Sequence, residues 1–328
     1  MIARFAIPFF LFMTIVVVPL VLALLFRYTL PRKLWRRTTI ACTIMIWAFT
    51  GYGFLFGFQQ LEVHHIEYAS ADLPETFDGY RIVQFSDAHV GSMTDSRQWM
   101  LQRAVDSINA QQADAIVFTG DMQNIWPDEL PSQTSYIRQL KAKDGVFAVL
   151  GNHDYAVYQD CEEDEKAANC EKTIKALRNM GFDLLLNEHR IIRRDSDSIV
   201  IAGMENWGVV ERMPRKGDVK KTLAGLNRKS SAGSQEPFIV MLQHDPSCWR
   251  EKILPECNAQ LTLSGHTHGG QISIFGWSPV ALSYSEWAGM TYEGTRAIYV
   301  STGLGALIPF RFGMPGEIVV ITLRRIKS

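Results

Sequence analysis

Hydrophobic positions fall into two regimes along this chain. From Phe5 to Phe26, and again from Thr38 to Phe58, no charged residue appears, giving runs of 22 and 21 positions. About 20 apolar residues in a helix cross the hydrocarbon core of a bilayer. A core helix of a soluble protein would carry a polar stripe, and neither run has one. A secretory signal would need a basic head and a small-residue cleavage site, but only Arg4 precedes the first run and no Ala-x-Ala follows it. The pattern predicts two spanning helices, at 5–26 and 38–58, within a membrane anchor over residues 1–60. Pro8 and Pro19 would bend the first, which bilayer helices tolerate.

After a linker at 61–72, the pattern changes to short apolar runs alternating with amphipathic stretches. Buried strands are predicted at 81–86, 115–119, 146–150, 198–202, 238–242, 260–264, 297–300 and 318–323. Helices are predicted at 96–111, 132–142, 171–179 and 220–226, and exposed loops at 159–169 and 227–236. Apolar runs of this length between helices imply βαβ units and a largely parallel sheet. Residues 73–328 then make one α/β domain of roughly 255 residues.

Charge orients the anchor. Arg27, Arg32, Lys33, Arg36 and Arg37 crowd the connection between the two runs, whereas Arg4 flanks one outer end and Glu62 and Glu67 the other. Retention of positive charge in the cytoplasm predicts a multi-pass protein of a cell membrane whose termini, and everything after Phe58, are extracytoplasmic. The cysteines agree. Cys161 and Cys170, like Cys248 and Cys257, stand nine positions apart, a spacing that suits local disulfides in an oxidising compartment. With Lys+Arg 33 against Asp+Glu 34, the chain lacks the basic excess of a nucleic-acid binder.

Five apolar runs end alike. They lead into Asp87-Ala88-His89, Gly120-Asp121, Gly151-Asn152-His153-Asp154, Gln243-His244-Asp245 and Gly265-His266-Thr267-His268-Gly269. Ligands of an open α/β sheet collect beyond the carboxyl ends of its strands, and five of the eight histidines sit at these ends. Each motif alone is weak, since a lone D-x-H is more often a polar loop. Their joint occurrence after apolar runs is strong. Carboxylate, imidazole and amide oxygen without thiolate suit Mn, Fe, Zn or Co. Seven such side chains are too many for one tetrahedral ion and suit two divalent ions sharing a carboxylate, about 3.5–4 Å apart with a bridging hydroxide. Glycines 120, 151, 265 and 269 fit sharp turns and close approach to an anion.

This series resembles the signature of the calcineurin-like metallophosphoesterases. The run Gly265-His266-Thr267-His268-Gly269-Gly270-Gln271 is similar in particular to the bacterial, membrane-associated YkuE/YaeI-like branch. So are Gly303-Leu304-Gly305, Pro309-Phe310-Arg311-Phe312 and Pro315-Gly316-Glu317. The resemblance spans about residues 73–325. It implies a four-layer α/β/β/α sandwich, with Asp87, His89 and His268 on one metal, Asn152, His244 and His266 on the other, and Asp121 bridging. It makes His153 the catalytic residue that protonates the leaving group, with Asn152 and His153 touching the substrate. The family often reads G-D-x-x-D. Here Asn124 stands at the second carboxylate, so support for His153 falls to Asn124 or to Asp154. Arg311 either binds the substrate phosphate or pairs with Glu317. Trp277, Tyr284 and Trp287 are expected in the core, with a lip at the site or the bilayer as the alternative.

The implied reaction is hydrolysis of a phosphomonoester or phosphodiester at a membrane surface, with free and lipid-linked phosphate esters both open as substrates. A lipid pyrophosphatase acting on a UDP-diacylglucosamine-type substrate is the second reading, disfavoured by the predicted orientation. A metal-dependent binding or sensor protein without turnover is the third, resting on Asn124 alone.

Overall fold

The computed structural model describes residues 2–226, 236–306 and 308–326. Its strands are β1 (Leu61–Ser70), β2 (Arg81–Phe85), β3 (Ala115–Phe118), β4 (Gly145–Ala148), β5 (Asp183–Leu184), β6 (Glu188–Arg194), β7 (Asp197–Gly203), β8 (Phe238–Leu242), β9 (Leu261–Ser264), β10 (Gly289–Glu293), β11 (Arg296–Val300) and β12 (Gly316–Arg325). They form two six-stranded sheets, ordered β1-β12-β2-β3-β4-β5 and β10-β11-β9-β8-β7-β6. Most neighbours are parallel; β12–β2, β10–β11 and β6–β7 are antiparallel.

Side-chain alternation explains the layering. On β3, Ala115 and Val117 face the seam between the sheets, where they meet Val240, Leu242 and Leu263. Ile116 and Phe118 face outward onto the helices Gln98–Ala110 and Glu163–Asn179 through Leu101, Val105, Ile174 and Leu177. The second sheet repeats the scheme, with Val200, Met241 and Ile298 packed under Trp249 and Ile253. Both faces of each inner strand are dry, so these strands read as unbroken apolar runs. The result is the expected four-layer α/β/β/α sandwich, preceded by two helices able to span a membrane.

Some expectations fail locally. The linker at 61–72 is mostly β1, which pairs with β12 from Leu61 opposite Gly316 to Ser70 opposite Arg325. The helix at 171–179 begins at Glu163, taking up much of the loop expected at 159–169. The helices at 132–142 and 220–226 shrink to Thr134–Ile137 and Val219–Thr222. The loop at 227–236 lies outside the described residues except for Glu236. The disulfide expected between Cys161 and Cys170 is not formed, both being thiols, and Cys257 Sγ donates to the Ile253 carbonyl at 3.4 Å. Cys170 is turned into the core against the inner sheet, away from the half-buried Cys161.

The anchor is a helical hairpin. Residues 7–29 and 32–59 are each long and apolar enough to cross a membrane. The basic residues expected in a loop mostly occupy the first turns of the second helix, Arg32–Leu55. In the first helix a five-residue π-helical stretch, Met13–Val17, precedes Pro19. A proline lacks the N–H that would meet the carbonyl four residues back. That carbonyl belongs to Ile15, and the Trp47 indole of the second helix donates to it at 3.1 Å. Indole bonds thus join the two helices at two levels, from Trp47 to the Ile15 carbonyl and from Trp35 to the Ala23 carbonyl.

The second helix also holds the domain. Phe310 packs on Phe10, Phe49 and Phe54 at 5.1–5.4 Å between ring centres, and Phe312 lies 4.4 Å from Phe49. The Arg311 amide donates to the Gly53 carbonyl at 3.2 Å. Gly57 permits this approach, because a Cβ there would stand 1.8 Å from the Arg311 carbonyl oxygen.

Candidate metal centre

Strand register makes the functional tips level. Phe85 of β2 pairs with Phe118 of β3, and Phe118 pairs with Ala148 of β4. On the other sheet, Leu242 of β8 pairs with Leu263 of β9. The segments after these five strands therefore emerge along one edge. Bonds across the seam lock them: the Gln84 side-chain amide donates to the Ser264 carbonyl at 2.8 Å, and His244 Nδ1 to the Thr119 carbonyl at 2.7 Å. The His266 amide meets both Asp87 oxygens at 3.0–3.1 Å. Gly265 makes that contact possible, since a Cβ there would lie 2.3 Å from Asp87 Oδ2.

Two neighbouring side-chain groups result. Asp87, His89 and His268 bring donor atoms together on one side, and Asp121, His244 and His266 on the other. Asp121 also groups with His89 and His153. Its Oδ2 lies 3.2 Å from His244 Nε2 and 3.8 Å from His89 Nε2. Asn152 Oδ1 sits 2.7 Å from His266 Nδ1 and 3.0 Å from His244 Nε2. All seven side chains expected as ligands converge, and five of them, Asp87, His89, Asp121, His266 and His268, have positive φ. Left-handed backbone at such residues costs on the order of 1–3 kcal/mol each, so this concentration marks a site that the surrounding fold over-determines.

The electrostatics fit divalent cations. Burial, then the charge of His153, lowers His89 to about 3, and burial, then His89, puts His268 well below the ordinary range. Both rings are thus neutral, with Nε2 atoms facing each other at 3.1 Å and both Nδ1 atoms buried without a partner among the described residues. Burial, with His244 drawing it down and Asp121 pushing it up, raises Asp87 to about 6. At His244, burial opposes the charge but the Asp121 carboxylate overcomes it, lifting the group to about 10. Beyond burial, Asp121 pushes up both Asp87 and Asp154, and the neutral rings of His89 and His268 turn inward beside them. The donor set is nitrogen and oxygen without thiolate, suited to a borderline transition ion. Bonding of His244 Nδ1 to a carbonyl fixes the tautomer that aims Nε2 inward, a recurrent arrangement for ligating histidines.

His153 stands beside the groups, its ring 4.7 Å from that of His89 and edge-on to it. Its Nδ1 hydrogen-bonds the backbone carbonyl of Asn124. Main chain thus orients this ring where a carboxylate was expected. Asp154 does other work: it accepts from the amides of Asp121, Met122, Gly151 and, at 3.4 Å, Gln123. It ties two site loops together and does not hold His153.

Arg311 is not a substrate contact. It is fully buried, and its guanidinium donates to the carbonyls of Thr302, Gly303, Gly305, Met314 and Pro315 at 2.6–3.2 Å. Arg212 is exposed, and its charge acts on both Tyr158 and Tyr284. Tyr284 hydrogen-bonds His266 Nε2 at 2.9 Å, and Tyr158 accepts from Asn152 at 3.1 Å. Tyr284 is therefore at the rim rather than in the core, and Trp277 is half exposed in a hairpin away from these donors. Glu129 was also unforeseen: its carboxylate accepts from the amides of Asn124, Ile125 and Trp126 at 2.6–3.0 Å. Arg212 and Tyr158 sit in turns and Glu129 in a single 3-10 turn, Pro127–Glu129, with no motif at any of them, so the sequence offered no signal.

A family profile described as calcineurin-like phosphoesterase matches residues 80–270. The uncharacterized metallophosphoesterase YkuE of Bacillus subtilis is 32% identical over 290 residues, covering 84% of this chain and 90% of that protein. A transmembrane protein with metallophosphoesterase domain from Danio rerio is 29% identical over 88% of this chain, which spans 63% of that relative's length. The UDP-2,3-diacylglucosamine pyrophosphatase LpxG of Chlamydia trachomatis is 28% identical over 76% of this chain and 86% of its own. Fold, site and relatives define a metallophosphoesterase, a hydrolase of phosphate esters. The chain belongs to the calcineurin-like phosphoesterase family.

The role of Arg311 can be checked directly. Arg311→Met leaves buried carbonyls without donors, at ~1–3 kcal/mol each. It should lower the unfolding free energy by at least about 3 kcal/mol in denaturant titration of the full chain. Arg212→Ala should leave stability unchanged and raise KM.

Proposed function

We propose that the chain hydrolyses phosphomonoester or phosphodiester bonds at a membrane surface, with two divalent cations held by Asp87, His89 and His268 on one side and Asn152, His244 and His266 on the other. The observation that carries this reading is Asp121, which belongs to donor groups on both sides. Such ions, when bound, would supply Lewis acidity and a nucleophilic water at neutral pH. The remaining work falls to the chain. Asn152, and Arg212 through the charge that reaches Tyr158 and Tyr284, steer a phosphoryl group toward the donors. His153, with Nδ1 committed to the Asn124 carbonyl, directs Nε2 at the cleft and gives its proton to the leaving oxygen. A neutral carbonyl orients that ring without the charge of a carboxylate.

Asp121→Ala should lose more metal than any other single ligand substitution, read by elemental analysis against a native content near two ions per chain. A single ion in the native protein would overturn the dinuclear reading. His153→Ala should keep its metal and lose roughly 10²–10⁴-fold in turnover, with a smaller loss on p-nitrophenyl esters. Loss of metal in that variant would instead make His153 a ligand.

The positive-inside bias supports an extracytoplasmic catalytic domain in a bacterial cell membrane. Two observations favour the nucleotide-lipid pyrophosphatase as the second reading: the similarity to LpxG, and Cys161 and Cys170, which are thiols rather than a pair of an oxidising compartment. Alkaline phosphatase fused after Ser328 should be active in a bacterial host, and green fluorescent protein there dark. The opposite pattern would place the site in the cytoplasm and give the second reading the lead.

A further inference from the structure

Between His268 and Tyr284 the chain leaves the metal centre and returns to it. The excursion carries a two-residue hairpin turn: Ile274 and Trp277 exchange both backbone bonds at 2.9 and 3.1 Å, with Phe275 and Gly276 between them at φ +52° and +81°. Positive φ at both central positions belongs to a turn that favours Asn or Gly at the first. A bulky residue in that conformation is an outlier. Here it is a phenylalanine, and it is wholly exposed. Ile274 and Trp277 are half exposed beside it, and Leu282 is 81% exposed. A soluble surface gains nothing from a strained backbone that displays a phenyl ring to water.

The root of this hairpin says what covers it. The Ser273 amide donates to the Phe312 carbonyl at 2.8 Å, the Phe312 amide donates to the Gln271 carbonyl at 2.9 Å, and Ile272 bridges to Phe312. Phe312 is seated on Phe49 and Tyr52 of the second anchor helix. Phe49 lies six residues before the helix end at Leu55, about 9 Å along its axis. The hairpin is thus hydrogen-bonded to a loop lodged against the last turns of a span. Half-exposed tryptophan suits the headgroup boundary.

We propose that Ile274, Phe275, Trp277 and Leu282 insert into the leaflet at that end of the anchor. The bilayer then forms one wall of the approach to the metal centre, and the substrate class is a phosphate ester whose apolar part stays in the membrane. The insertion rests on the anchor alone, whereas the substrate class rests on the phosphoesterase reading above.

The test uses the full chain in vesicles of phosphatidylcholine and phosphatidylglycerol. In a Cys42→Ala, Cys161→Ser background, Phe275→Cys carries an environment-sensitive nitrobenzoxadiazole label. Ser196→Cys, in the exposed turn between β6 and β7, is the control. The label at 275 should emit to the blue of the control and be quenched by nitroxide lipids rather than by aqueous iodide. A label at 275 quenched like the control overturns the insertion. In a second arm, Phe275→Asp with Trp277→Asp should keep native turnover of bis(p-nitrophenyl) phosphate and lose at least about tenfold on phosphatidic acid in vesicles, the scale expected from two aromatic side chains withheld from the membrane. Equal rates on both substrates overturn the lipid substrate class. Native protein that turns over neither ester overturns the phosphoesterase reading, while the label still decides insertion.

Discussion

Everything at the carboxyl edge of the two sheets answers to one constraint: anionic and imidazole side chains are buried there at a density that water cannot relieve. Asp87, Asp121, Asp154 and Asp245 are all inaccessible, as are His89 and His244. Burying an isolated charge is costly unless it is paired or bonded. The protein offsets this cost with fixed main-chain donors. Asp154 gathers amides from two loops, Asp87 takes the His266 amide, and Asp121 Oδ1 takes the amide of His153 at 2.8 Å. Each bond also fixes a loop that carries a donor. Neutralising the charge and building the site are the same set of contacts.

The parallel inner strands follow from that requirement. Loops must leave several strands at one level, which parallel neighbours in register provide, and the seam between sheets must hold few polar groups. The exceptions, Gln84 and Thr119, lie at the site end of the seam and join one sheet to the other. Backbone strain collects in the same place, at Asp87, His89, Asp121, His266 and His268. At these five donors the backbone departs from ordinary preferences where the direction of the side chain matters most.

Legibility in the sequence followed burial. The eight strands predicted from apolar runs are present within a few residues, because both their faces are dry. The four unforeseen strands, β1, β5, β6 and β10, are the outer strands of the two sheets. Edge strands alternate and carry charge, as in Leu61-Glu62-Val63-His64-His65 of β1, which guards an open edge against unwanted pairing and dilutes the apolar signal. The donor residues were legible because each directly follows a buried strand. Arg311 was misjudged because sequence cannot tell a guanidinium facing solvent from one enclosed by carbonyls. The support of His153 stayed open between Asn124 and Asp154 for a related reason: a backbone carbonyl carries no residue-type signature, and it is the main chain of Asn124 that meets Nδ1. The cysteine spacing failed because nine positions within or beside a helix do not bring two thiols to one face.

The seat of Phe310 and Phe312 on the anchor bears on how the protein can be handled at the bench. A fragment cut at residue 73 would lack β1, exposing the length of β12 as an unpaired edge. One cut at 61 would keep the sheet but uncover two phenyl rings and strip the Arg311 amide of its partner. Neither fragment is a smaller version of the enzyme. Detergent or nanodisc preparations of the whole chain are the material in which its kinetics have meaning, and solubility gained by truncation would come with an altered catalytic edge.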